Sequence, residues 1–214
     1  MIVIGIVAAY LAGWFAWTFG EYAMHRFAMH ELKGRGVASR EHLTHHADRD
    51  SILEKWWLSW SGIVLVGVVG FGWGSAQVLP TPLAVALASG WIGGYGFYDW
   101  MHYRAHRHHV STRAGFGRYE RRLRLHHFHH HFGHPMRNHS VTIPLWDIVF
   151  GTYDPIEGPL RVPRRMAMIW LLDEDGAVRD AYAGDYAVVG TRERTSAQAA
   201  EDARNAFANL APVV

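Results

Sequence analysis

All sixteen histidines of this 214-residue chain lie between positions 25 and 139, and most fall into four spaced groups. The groups are His25 and His30; His42, His45 and His46; His102 and His106; and the run LHHFHHHF, which ends at Phe132. Such groups constrain a fold strongly, because residues as distant as His25 and His131 must converge if their imidazoles share a metal. On an α-helix, residues three and four apart share a face. His102 and His106 are four apart. His42, His45 and His46 follow i, i+3, i+4, and so do His127, His130 and His131. The alternative register His126, His129, His130 fits the spacing equally well. Each triple spans roughly 100° of helix circumference, enough to serve two adjacent metals. His25 and His30 are five apart and would diverge by roughly 140° on a regular helix. A helix end, a π-bulge or an approach from two sides is therefore expected there.

One register of the last triple gives ten imidazoles. A structural zinc site needs four ligands and closes. Ten divided over two metals gives about five each, which suits five-coordinate or octahedral ions with open positions. Imidazole accommodates iron, zinc, copper and nickel, so residue type does not choose the metal. The count favours a dinuclear, oxygen-activating iron centre, with zinc as a substitute. His108, His109, His126, His129, His134 and His139 read as hydrogen-bonded core residues or as supports for ligands. A loose His-rich metal sink does not explain four ordered groups, two of them tied to hydrophobic helices.

The motifs HX4H, HXXHH, HX3H and HXXHH, in that order, resemble the fatty acid hydroxylase/sterol desaturase superfamily of membrane di-iron enzymes. The words EYAMHRFAMH, YDWMHYRAH and NHSVTIPLWDIVFGTY carry the same resemblance, over roughly residues 20–155. It implies an all-histidine di-iron site facing the cytosol and O2-dependent hydroxylation or desaturation of a lipid. It also favours the later register, His127, His130 and His131 followed by Phe132. The implied metal set is then His25, His30, His42, His45, His46, His102, His106, His127, His130 and His131, with His126 and His129 as the alternative register.

Half of the residues are hydrophobic. Residues 2–19 carry no charge and are long enough to cross a bilayer. With no basic n-region and no small-residue cleavage site, they read as a retained transmembrane helix. Residues 56–79 and 83–98 are again apolar, punctuated by Pro80 and Pro82, and read as a transmembrane hairpin. Asp99 follows at the apolar boundary, where an unpaired carboxylate is costly. It shares a helix face with His102 and His106, so support of a ligand imidazole is expected. Glu41 and Asp48 are candidates for the same role. Residues 104–124 hold seven arginines against Glu120. Lipid phosphates and the positive-inside rule account for them better than nucleic acid does. The fold class expected is mainly α and integral to a membrane. About three transmembrane helices carry a cytosolic histidine-rich cap, with the N-terminus outside and the C-terminus inside.

Residues 1–160 form the expected transmembrane and catalytic domain, and 161–214 a small cytosolic α+β appendage. In the appendage MAMIWLL and AVRDAYA suggest a β-hairpin, YAVVG a third strand, and Thr195 with Gln198 the cap of a helix through Ala203, Phe207 and Leu210. The chain contains no cysteine and no G-x-G-x-x-G. Electrons are therefore expected from another protein, a cytochrome b5 or a ferredoxin with its reductase. A fatty-acyl lipid hydroxylated near its carboxyl end, most simply at the 2-position, is the leading substrate. Sterols and carotenoids compete with it, and so does a non-enzymatic di-zinc membrane protein. A transporter would need polar ligands within its spans, which are almost free of them.

Overall fold

The computed structural model describes residues 2–48, 56–110 and 115–190. Helix α1 (Ile2–Ala23) runs without a break into a π-helical turn, Met24–Glu31. Helix α2 covers Val37–Ala47. Helix α3 (Trp56–Leu65) also continues as a π-helix, Val66–Gly74. Helix α4 spans Thr81–Arg107, α5 Gly115–Phe132 and α6 Leu145–Val149. Two short strands follow, β1 (Leu160–Pro163) and β2 (Tyr186–Val189).

Among the described residues, two helices are long and apolar enough to cross a membrane, Ile2–Glu31 and Trp56–Gly74. Helix α4 does not share that character along its length. Its apolar first part gives way to the polar DWMHYRAHR end, and many of its residues are buried between neighbours.

Helices α1 and α4 lie side by side and parallel, since Gly5 faces Leu83, Gly13 faces Leu87 and Trp91, and Gly94 faces Trp17. Their backbones meet. A Cβ on Gly13 would fall 2.0 Å from the Leu87 carbonyl oxygen, and one on Gly90 2.0 Å from that of Tyr10. Small residues at such crossings allow the close packing that substitutes for a hydrophobic driving force in lipid. Gly67, in the π-helical continuation of α3, abuts the Ile92 side chain of α4. A core of Trp17, Ile63, Trp91, Tyr95 and Tyr98 ties the three helices together below the histidines.

A second core joins the ends of α4 and α5 to the C-terminal part through Ala105, Phe128, Val162, Met168, Trp170 and Tyr186. Here the expected hairpin is corrected. Met166, Ala167, Met168, Trp170 and Leu171 are all buried, with only Ile169 exposed. That pattern lacks the period-two alternation of a half-buried strand. The segment instead forms a 3-10 turn and loops, with one antiparallel bridge, Leu172 to Val178. YAVV does form a strand, but it pairs in parallel with Leu160–Pro163. The helix expected over residues 195–210 lies outside the described residues.

Candidate metal centre

The five-residue spacing of His25 and His30 falls on the π-helical turn, and both side chains are buried. The wider turn brings together residues that a regular helix would splay. Ten imidazoles from this turn, α2, α4 and α5 converge in two groups. One group is His25, His30, His42, His46 and His130; the other is His45, His102, His106, His127 and His131. In each helix the i, i+4 pair shares a group. The third member of each triple crosses to the other group: His45 leaves His42 and His46, and His130 leaves His127 and His131.

In the first group, Nε2 atoms approach in a closed circuit. His42 to His30 and His30 to His130 measure 2.9 Å, and His130 to His46 and His46 to His42 measure 3.1 Å. His25 Nε2 lies 2.9 Å from His42 Nε2. Neighbouring ligands of an octahedral ion with metal–nitrogen bonds of about 2.1 Å stand roughly 3 Å apart, which is this spacing. The second group shows His45 to His102 at 3.1 Å and His106 to His127 at 2.9 Å. His131 Nε2 is buried with no hydrogen-bond partner.

Burial holds His42, His46, His127, His130 and His131 well below the usual imidazole pKa, and the neighbouring imidazoles lower them further. They are neutral at pH 7, as metal ligands must be. Neither group contains a carboxylate. Crowded neutral lone pairs, one of them orphaned, fit divalent cations, and the donor set is one that iron or zinc accepts.

Two backbone carbonyls fix the rings. His25 Nδ1–H donates to the His139 carbonyl, and His130 Nδ1–H donates to that of Arg137 at 2.7 Å. Each bond leaves Nε2 as the free lone pair. The loop bearing these carbonyls is held by two buried carboxylates that spacing arguments did not single out. Asp147 accepts from the His139 N–H at 2.8 Å, the Ser140 N–H at 2.9 Å and Thr152 Oγ1 at 2.8 Å. Glu21 accepts from the Val141 N–H, the Thr142 N–H at 2.9 Å and Thr142 Oγ1 at 2.5 Å. Burial alone would raise the Asp147 pKa, but bonds from His126 and Ser140 outweigh it and hold the carboxyl well below its usual value. A signal for Glu21 was available: it is a lone acid at the end of an apolar span, the reasoning applied to Asp99.

For Asp99 that reasoning is corrected. Its carboxylate accepts from Trp60 Nε1 at 3.2 Å, across to α3. The His102 Nδ1 beside it is buried without a partner. The side chain faces α3, where an indole N–H is the available donor. Glu41 lies on the wall of the cavity described below, and Asp48 caps the C-terminus of α2. His126 and His129 turn away from both groups, to Asp147 at 3.3 Å and Asp154 at 2.8 Å. His134 also meets Asp154. His139 is buried beside the first group, 5.5 Å from His25 between ring centres, with neither ring nitrogen bonded.

An apolar cavity of about 320 Å³ opens against both groups. His42, His45 and His102 form one end, and Leu58 and Ile63 of α3, Val66 just beyond it, and Trp91 and Tyr98 of α4 form much of the rest. The geometry therefore offers two imidazole clusters at the head of an apolar slot between helices.

The fatty acid hydroxylase family matches residues 10–152. Dihydroceramide fatty acyl 2-hydroxylase FAH1 of Arabidopsis thaliana is 32% identical over 156 residues, which cover 72% of this chain and 64% of that protein. Fatty acid 2-hydroxylase of Homo sapiens is 27% identical over 150 residues, covering 68% of this chain and 39% of that protein. A solved structure described as full-length scs7p, with only its hydroxylase domain visible, matches with a TM-score of 0.54 and 26% identity. The match covers 74% of this chain and 59% of that one. The chain thus spans less than two thirds of the length of these relatives. The family match takes in all ten convergent histidines and both clamping carboxylates, and this chain belongs to the fatty acid hydroxylase family.

Proposed function

We propose that this protein is a membrane-bound di-iron monooxygenase that hydroxylates a fatty-acyl lipid, most simply at the 2-position. The observation that carries the reading is the apolar cavity ending on His42, His45 and His102, where both five-histidine groups meet. The relatives' names, fatty acid and dihydroceramide fatty acyl 2-hydroxylases, support the same substrate class.

His25, His30, His42, His46 and His130 would hold one iron, and His45, His102, His106, His127 and His131 the other. Bound there, the two irons would supply the O2-dependent redox chemistry that attack on an unactivated C–H bond requires. Zinc would fill the same ligand sets without that chemistry. The chain's own residues bind and exclude. Leu58, Ile63, Val66 and Trp91 surround an alkyl chain and keep water from the reacting carbon. The His139 and Arg137 carbonyls hold the His25 and His130 rings in one tautomer. Reducing electrons come from an external carrier of the cytochrome b5 or ferredoxin type.

The cavity lies where α1 and α4 pass from apolar to polar sequence. A substrate entering from the bilayer would keep its polar head at headgroup level and present carbons near the carboxyl end. With α4 as a third span beside Ile2–Glu31 and Trp56–Gly74, the histidines and the arginines of 104–124 face the cytoplasm.

Lipid extracts from cells with and without the protein, grown under 18O2, test the reading. One labelled oxygen in a fatty-acyl hydroxyl is expected. A new double bond without label would make the enzyme a desaturase, and a labelled sterol or carotenoid would change the substrate class. No oxygen-dependent lipid change, with an electron donor present and zinc bound, would leave a structural metal protein.

A further inference from the structure

The segment after the last histidine group has an odd surface. Between Ser140 and Tyr153 the only charged residue is Asp147, and its side chain is fully buried. Ile143, Ile148, Val149, Phe150 and Tyr153 are each 40–60% exposed. A water-facing loop with this composition would be an aggregation liability.

Its position along α1 supplies the explanation. Val141 and Thr142 donate to Glu21, at the polar end of the first apolar stretch. Four residues later, Trp146 packs on Phe15 and Phe19 and donates from Nε1 to Thr18 Oγ1 at 2.9 Å. The chain then returns, with Phe150 stacked on Tyr22 and Thr152 bonded to the Tyr22 hydroxyl at 3.2 Å. From Glu21 to Phe15 is six residues of helix, roughly 9 Å of depth at 1.5 Å per residue. Interfacial elements seat their apolar face about 5–10 Å into the headgroup and acyl boundary.

The later half of the loop also satisfies its own backbone. Non-helical backbone is tolerated at membrane depth only when its polar groups are satisfied within the protein. The N–H groups of Ile148, Phe150, Gly151, Thr152 and Tyr153 all find backbone acceptors within the loop. Asp147 takes the N–H groups of His139 and Ser140, as described above.

We infer that residues 143–150 dip into the lipid beside α1 as a re-entrant anchor, with Ile148, Val149 and Phe150 against acyl chains. The occupant of this surface is the bilayer itself, continuous with the apolar face of α1. The anchor tethers the carbonyls that orient His25 and His130, and so fixes the depth of the histidine groups relative to the membrane. The inference rests on the reading of α1 as a transmembrane span.

The absence of cysteine allows a direct test. Single variants I148C and V149C, with V7C inside the first apolar stretch and E157C on an exposed loop as references, are spin-labelled in phosphatidylcholine vesicles. Collision with oxygen is compared with collision with water-soluble chromium oxalate. The oxygen-to-chromium ratio at 148 and 149 should match that at 7 and exceed that at 157 several-fold. Ratios at 148 and 149 equal to that at 157, with 7 still protected, would overturn the anchor alone. A water-accessible label at 7 would overturn the spanning reading and the anchor with it.

Discussion

The rings of His46 and His131 stack nearly parallel, 4.1 Å between centres and 10° between planes, yet they belong to different histidine groups. Among the described residues this is the tightest ring contact between the two groups; His130 with His131 and His42 with His45 stand farther apart, at 5.8 and 6.0 Å. One ring from α2 and one from α5 form a shared wall, so disturbance on one side reaches the other.

Loss of a single ring should therefore be felt widely. H45A and H130A are expected to abolish hydroxylation and to lower bound metal from about two ions per chain, measured by elemental analysis of purified protein. H134A, on an exposed side chain, should leave both nearly unchanged. H127A should be more damaging than H126A to metal content, because His126 faces Asp147 instead of either group. Activity and near-stoichiometric metal surviving in H45A and H130A would sink the ligand assignment.

The Asp147 clamp predicts a stability effect. Asp147→Ala strands two buried N–H groups and a hydroxyl, and unpaired buried donors cost about 1–3 kcal/mol each. A loss of several kcal/mol is expected, read as a lower unfolding midpoint in detergent. Asp147 has a folded pKa below its ordinary value of 3.8. Its contribution is therefore full above about pH 4 and is lost as the pH falls through the folded pKa. Asp147→Asn should flatten that acid limb, and an unchanged limb would remove the clamp from the explanation.

The cavity can be filled without touching a histidine. Gly62 lines it, and a Cβ there would meet nothing within 4 Å. Gly62→Leu should fold and keep its metal but turn over long-chain substrate at least tenfold more slowly, with the loss relieved for a shorter acyl chain. Equal activity on long chains would place the substrate elsewhere.

The α1–α4 crossing allows no side chain. Gly90→Ala puts a methyl group into the Tyr10 carbonyl. Overpacking of this kind costs about 1–3 kcal/mol, and thermal unfolding in detergent should shift down accordingly. The same substitution at Gly62 should shift it little.

Membrane orientation is open to a direct check. Reporter fusions after residue 79 and after residue 160 should lie on opposite sides of the membrane. Both on one side would remove α4 as a span and overturn the proposed three-span topology.

Much of the site is legible in the residues alone, because helical spacing is local. The i, i+3, i+4 pattern on α2 and α5, the i, i+4 pair on α4 and the awkward five-residue step at His25 all follow from turn geometry. Spacing leaves two registers open for the last triple and the family resemblance favours the later one; the ten imidazoles of that register are the ten that converge. Composition likewise marks residues 2–19 and 56–79 as apolar. Only the tertiary structure decides which ring joins which group, since that depends on how each helix is rotated against partners far away in sequence. It decides, too, that Asp99 turns to Trp60, because a side chain's direction is set by the nearest donor across the interface. The roles of Glu21 and Asp147 arise from bonds to backbone N–H groups, and Glu21 reaches more than a hundred residues to make them. No local pattern encodes such a partner. The parallel pairing of Leu160–Pro163 with Tyr186–Val189 is of the same kind: the strand propensity of YAVV is local, but its mate is chosen by the core around Phe128 and Trp170.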